Sequence, residues 1–120
     1  MYVIIENALI NCPWCKKAKQ LSLDNNLDYC VISINPQAQK QDMWMILRKY
    51  FNIDETNIYL KTGSTSGALT FPQIFSVKLK DVTLSTLEEL ITILDNDEVE
   101  VEYIGGYQSY EKFVKSNLEN

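Results

Sequence analysis

Cys12 and Cys15 are the residues of this chain best suited to chemistry, because two thiols at that spacing can close a disulfide within one helical turn. The motif Cys12-Pro13-Trp14-Cys15 lies between a short apolar run, Tyr2-Val3-Ile4-Ile5, and a segment of helical spacing. A Cys-x-x-Cys in that position reads as a thiol–disulfide redox pair. The first sulfur falls at a helix N-terminus, where unpaired N–H groups and the macrodipole favour a thiolate. Cys12 is therefore the expected nucleophile. Cys15, one turn on, is the expected resolving thiol, attacking Cys12 once a mixed disulfide with substrate has formed. Such a setting with nearby cations takes a cysteine from about 8.5 to roughly 3.5–7.5, and Lys16 is a candidate cation.

Sulfur has to act largely alone. The 120 residues contain no histidine, which removes the usual zinc ligand sets, imidazole acid–base chemistry and a Cys-His nucleophile, so no metal is expected. Three cysteines do not make a secreted disulfide framework. The third, Cys30, sits in an apolar stretch and reads as a small buried hydrophobe. Net charge is −5 and uneven: residues 1–60 hold six basic and six acidic side chains, residues 61–120 five and ten. Nucleic acid is not an expected partner for such a chain. With no apolar run of membrane-spanning length and no basic stretch near Met1, neither a membrane span nor a signal peptide is expected, and the cytoplasm is the expected compartment.

The elements that must hold the pair follow from periodicity. Tyr2–Glu6 reads as a buried strand. A helix runs from Pro13 to about Asp24, with Trp14, Ala18 and Leu21 at helical spacing and Pro13 at a position where its missing N–H costs nothing. Asp28–Ile34 is a second strand, broken at Asn35-Pro36. Gln37–Phe51 is a second helix through Met43, Trp44, Leu47, Tyr50 and Phe51. Residues 57–70 contain a small-polar loop, Thr62–Gly67; Pro72–Val77 reads as a third strand and Val99–Ile104 as a half-exposed fourth. Gly105-Gly106 turns the chain into a last helix, Tyr107–Leu118. Between the last two strands Ser85-Thr86-Leu87-Glu88 has the capping-box pattern and predicts an extra helix over Thr86–Asp95. The order βαβα-ββ-α predicts one domain over residues 1–120, with a mixed sheet flanked by helices.

Three ordered patches resemble the glutaredoxins of the thioredoxin superfamily, above all the small phage-encoded dithiol members. Cys12-Pro13-Trp14-Cys15 is similar to the family's Cys-Pro-Tyr-Cys. Thr70-Phe71-Pro72-Gln73-Ile74-Phe75 is similar to its Thr-Val-Pro-Gln-Ile-Phe, and Ile104-Gly105-Gly106-Tyr107 to its Ile-Gly-Gly-Tyr. The resemblance implies an α/β thioredoxin fold, βαβαββα, with a four-stranded mixed sheet and the extra helix inserted between the last two strands. Residues 57–69 and 78–98 have no counterpart and read as insertions. Within the second, Val82–Glu98 is expected to form a helical unit outside the catalytic core that packs one face onto the sheet or a partner and serves partner choice.

The same resemblance implies an oxidoreductase that uses glutathione as reductant to reduce disulfide-containing proteins, ribonucleotide reductase among them, and acts as a monomer. It implies a cis Pro72 facing the pair. The expected substrate and glutathione site comprises Trp14, Phe71, Pro72, Gly106, Tyr107, Gln108 and Ser109. The main chain of Phe71 would pair with an extended substrate segment, and the helix start at Tyr107 would receive a carboxylate. Where the family often has a lysine before the first cysteine this chain has Leu9, and where it has aspartates after Gly-Gly-Tyr it has Gln108 and Ser109. Arg48 or Lys49 is the expected replacement cation. Trp14 is expected to be exposed and to pack on the ligand or cover the disulfide, and both readings stand. Glu6 is a solvated strand-end carboxylate or a proton acceptor for the pair. Two other readings of the whole chain are a thioredoxin-like donor reduced by a flavoprotein reductase and a thioredoxin-fold binding module.

Overall fold

The computed structural model describes residues 1–119. In chain order it contains β1 (Tyr2–Asn7), α1 (Pro13–Asp24), β2 (Tyr29–Ile34), α2 (Pro36–Phe51), α3 (Tyr59–Thr62), β3 (Gln73–Val77), α4 (Leu87–Leu94), β4 (Val101–Gly105) and α5 (Tyr107–Glu119). The strands make one sheet in the order β2-β1-β3-β4. β1 runs parallel to β2 through the α1 crossover and antiparallel to β3, and β3 is antiparallel to β4. This is the expected mixed sheet, with α4 inserted between the last two strands.

Alternation along the strands separates two cores. Val3, Ile5, Ile32, Phe75, Val77 and Tyr103 face one side and meet Met43, Trp44, Ile46 and Leu47 of α2. Ile4, Ile74 and Ile104 face the other and meet Ala18 of α1 with Tyr110 and Val114 of α5. Tyr110 is wholly buried, so its hydroxyl needs a partner. Ser22 supplies one at 2.6 Å and itself donates to the Ala18 carbonyl at 2.9 Å.

Local signals set most element ends. Asn35 caps α2, its side chain accepting from the N–H groups of Gln37 and Ala38, and Pro36 occupies the first turn. Asn52, at φ 58°, ends the same helix in the left-handed region.

Two expectations need correction. The buried stripe of α1 is Cys15, Ala18 and Ser22, with Leu21 only partly buried; Trp14 is exposed, as expected. The cap of α4 is one residue later than read. Thr86, in extended conformation, accepts from the Glu89 N–H, and the Glu89 carboxylate reaches back to Ser85. Those bonds hold the Glu89 carboxyl below its ordinary range. Within residues 57–70 a short helix, α3, leads into the small-polar loop. The helix within residues 78–98 packs one face inward: Leu84, Leu87 and Leu90 are buried in the same core as Val3 and Phe75.

Candidate active site around the Cys12–Cys15 disulfide

The C-terminal end of β1 delivers the chain through residues 8–11 to Cys12, which is the N-cap of α1. Its sulfur accepts from the Cys15 N–H at 3.2 Å and is joined to the Cys15 sulfur. A capping group satisfies N–H groups that the helix itself cannot. A thiolate left there on reduction therefore meets a backbone donor and the positive end of the α1 dipole. Cys12 is 8% exposed and Cys15 1%, so an incoming thiol or disulfide reaches Cys12 first. The pair is a two-electron couple: reduction breaks the S–S bond and takes up two protons.

The third strand brings a second polar atom to the sulfur. The Phe71 carbonyl oxygen lies 3.9 Å from Cys12 Sγ, and the Phe71–Pro72 bond is cis. In the disulfide this is a packing contact. In the protonated thiol the same carbonyl can accept the S–H.

Beside the disulfide lies a groove of about 330 Å³ lined by residues of four segments. Trp14 and Tyr107 form its aromatic floor, their ring centroids 5.5 Å apart. Thr70, Phe71 and Pro72 make one side, Gly106 and Gln108 another, and Thr62, Gly63 and Ser64 close it. The Lys17 ammonium sits 4.3 Å from the centre of the Trp14 ring, on α1 beside the groove. Lys16, the cation anticipated from sequence, is exposed one turn along from Cys12. The Tyr107 hydroxyl is held above its ordinary titration range by partial burial and by the neighbouring Glu111 carboxylate.

The closing wall belongs to α3. The Lys61 carbonyl accepts from the Gly106 N–H at 3.1 Å and from the Ser109 hydroxyl at 2.6 Å. Gly105, at φ 117°, lets that carbonyl approach so closely that a Cβ would stand 2.2 Å from the oxygen. The α5 ladder begins with Tyr110 N–H to Gly106 carbonyl, so the N–H groups of Tyr107, Gln108 and Ser109 are those of a first helical turn. Ser109 thus turns its hydroxyl to α3, while Gly106, Tyr107 and Gln108 line the groove.

Phe71 is shared with a second groove, of about 440 Å³, on the α2 side. Lys40, Gln41, Trp44 and Arg48 line it together with Glu55. Arg48 pairs with Glu55 and lies over the Trp44 ring at 5.3 Å, so its charge is already partnered. Lys49 is elsewhere. Its ammonium is 3.9 Å from Asp95 on the α4 side, because consecutive helical residues diverge by about 100°. Lys40 and Gln41 were missed from sequence. Their spacing of four and three residues before the buried Trp44 is the signal that places them on that flank. Glu6 pairs with Lys19 at 3.1 Å, and Cys30 is buried, its thiol pushed up by desolvation. Among the described residues no three metal-ligating side chains cluster, and no helix is long and apolar enough to cross a membrane.

Comparison with known proteins bears on the fold. No family model and no curated protein sequence matches the chain. Among solved structures it is similar to glutaredoxin 1 from Francisella tularensis, a crystal structure of that protein complexed with cacodylate. The identity is 18% over 99% of this chain and 96% of the other, with a TM-score of 0.53. The chain thus has the thioredoxin fold of that glutaredoxin, and the sheet order and helix layers described above are its form here.

Proposed function

We propose that the protein is a glutathione-dependent thiol–disulfide oxidoreductase of glutaredoxin type, with Cys12 attacking and Cys15 resolving. The observation that carries this reading is the Cys12–Cys15 disulfide at the start of α1, its outer sulfur 3.9 Å from the Phe71 carbonyl at the mouth of the groove.

The Cys12 thiolate attacks one sulfur of a substrate disulfide, forming a Cys12–substrate bond and expelling the other sulfur as a thiolate that takes a proton. Cys15, losing its own proton, attacks Cys12, closes the Cys12–Cys15 bond and expels the second substrate thiolate. Two glutathiones restore the dithiol. The first opens the disulfide at Cys12, and the second attacks the glutathione sulfur of that adduct and leaves as oxidised glutathione. Trp14, Phe71, Pro72, Gly106, Tyr107 and Gln108 line the space beside Cys12, and the first turn of α5 offers N–H groups to a carboxylate. Lys40 and Gln41, across the Phe71 ridge, are the polar groups suited to a second carboxylate; Arg48 contributes there only by leaving Glu55. Cytoplasmic disulfide proteins are the proposed substrates, and the phage-type resemblance adds ribonucleotide reductase as an electron acceptor. The protein acts as a monomer.

A second reading, reduction by a flavoprotein reductase, draws on the absence of any charged side chain lining the Trp14–Tyr107 groove among the described residues. One experiment separates the two. The oxidised protein is mixed with glutathione and glutathione reductase, and turnover of a peptide–glutathione mixed disulfide is followed. Sustained turnover that survives Cys15→Ser but not Cys12→Ser supports the proposal. Turnover only with thioredoxin reductase supports the second reading.

A further inference from the structure

Gln73 is a wholly buried amide at the start of β3. Its Nε2 donates to the Thr70 carbonyl at 2.7 Å, and its Oε1 accepts from the Tyr103 hydroxyl at 2.5 Å. The assignment has no mirror alternative: a carbonyl can only accept, so the amide nitrogen must face Thr70 and the oxygen must face Tyr103. The Tyr103 ring is fixed in turn, with Phe75 at 5.1 Å and Phe51 at 5.8 Å between centroids. Tyr103 is the titratable group in contact with Gln73, and burial keeps its hydroxyl protonated well above the ordinary tyrosine range.

The consequence lies across one peptide bond. The Thr70–Phe71 bond is not among the cis bonds of the chain, so its C=O and N–H point in opposite directions. Holding the Thr70 oxygen on the buried Gln73 amide therefore turns the Phe71 N–H away from that amide. Phe71 is also the residue that lines both grooves and holds its carbonyl near Cys12.

We propose that Gln73, braced by Tyr103, is a positioning residue that aims the Phe71 main chain at the peptide backbone flanking a substrate disulfide. The role rests on the reading of Cys12 and Phe71 given above. It assigns to this pair the discrimination between disulfides embedded in polypeptide, which offer main-chain partners to Phe71, and small disulfides, which do not.

The test uses reduced, desalted protein and two oxidants: a cystine-bridged peptide extended on both sides of each cysteine, and oxidised mercaptoethanol, which has no amide. Second-order reduction rates are measured and their ratio taken, which cancels changes in Cys12 ionisation. Tyr103→Phe and Gln73→Leu are expected to lower the peptide-to-small ratio about five- to tenfold, the equivalent of one hydrogen bond. Gln73→Glu adds a signature that a merely structural role would not produce. Its neutral carboxyl can donate to Thr70 and accept from Tyr103, whereas its carboxylate faces the Thr70 oxygen with no proton. The ratio in Gln73→Glu is therefore expected to approach that of the unaltered protein at acid pH and fall as pH rises, while the unaltered protein's ratio stays flat. If Gln73→Leu does not fold, the other two variants decide. An unchanged ratio in folded Tyr103→Phe, or a ratio in Gln73→Glu without pH dependence, overturns the role. If the unaltered protein reduces neither oxidant, the thiol–disulfide reading itself falls, and this role with it.

Discussion

Replacing Gly105 by alanine tests how the groove wall is held. A Cβ built there would lie 2.2 Å from the Lys61 carbonyl oxygen and 2.8 Å from its carbon. Carbon atoms pack at about 3.5–4.0 Å and oxygen a little closer, so the carbonyl has to withdraw by about 1 Å. That carbonyl holds the Gly106 N–H and the Ser109 hydroxyl, at 3.1 and 2.6 Å. Losing both bonds costs about 1 kcal/mol each. An alanine kept at φ 117° adds strain on the order of 1–3 kcal/mol. The expected loss is thus about 3–5 kcal/mol, a large share of the roughly 5–15 kcal/mol that holds an ordinary domain. Urea unfolding followed by circular dichroism reads it directly, with Ser109→Ala as the reference that removes a single bond and costs about 1 kcal/mol. The same displacement moves Thr62, Gly63 and Ser64 off the groove, so a peptide–glutathione mixed disulfide should bind more weakly to Gly105→Ala. Oxidised mercaptoethanol should still be reduced, because the cysteines sit on α1. A Gly105→Ala protein no less stable than Ser109→Ala would refute the reasoning.

Three further outcomes follow from the geometry. Lys40→Gln should weaken glutathione binding about tenfold, the lower end of what a charge-assisted hydrogen bond contributes, while Lys49→Gln leaves it unchanged; equal effects of the two in a binding titration would reverse the assignment. Burial pushes the Tyr110 hydroxyl up to about 12 despite its bond to Ser22, so the native state keeps a proton that the unfolded chain, titrating near 10, gives up. Stability is therefore full below about pH 10 and falls between about pH 10 and 12, and Tyr110→Phe should lessen that fall in alkaline unfolding curves. Leu90→Ala should cost about 2–5 kcal/mol, since Leu90 is wholly buried in the α2–α4 core; a cost near zero in urea unfolding would mean that α4 is an appendage after all.

The legible features of this chain are local ones. The cysteine pair, the proline after Cys12 and the apolar strand before it lie within a few residues of each other, so the redox motif and its place on a helix N-terminus could be read directly. Asn35-Pro36 and the glycines at 105–106 carry their backbone demands in their own residue types. Strand and helix periods then led to the sheet, and α4 was found from its cap to within one residue.

What stayed hidden depends on contacts between distant segments. A four-residue helix has no stability of its own, and α3 exists because the Lys61 carbonyl docks on a turn more than forty residues later. The small-polar run that follows it has no period to read, yet Thr62, Gly63 and Ser64 form a wall of the groove. The motif placed Trp14 at the surface, but only the packing of α1 against the sheet decided that Ser22 rather than Leu21 joins Cys15 and Ala18 on the buried face. The rotation of α2 likewise put Lys40 and Gln41 beside Phe71 and sent Lys49 to Asp95. Gln73 looked like one more strand residue. Its role appeared only when β4 brought the Tyr103 hydroxyl to it, because a buried amide is defined by the partners that tertiary structure supplies.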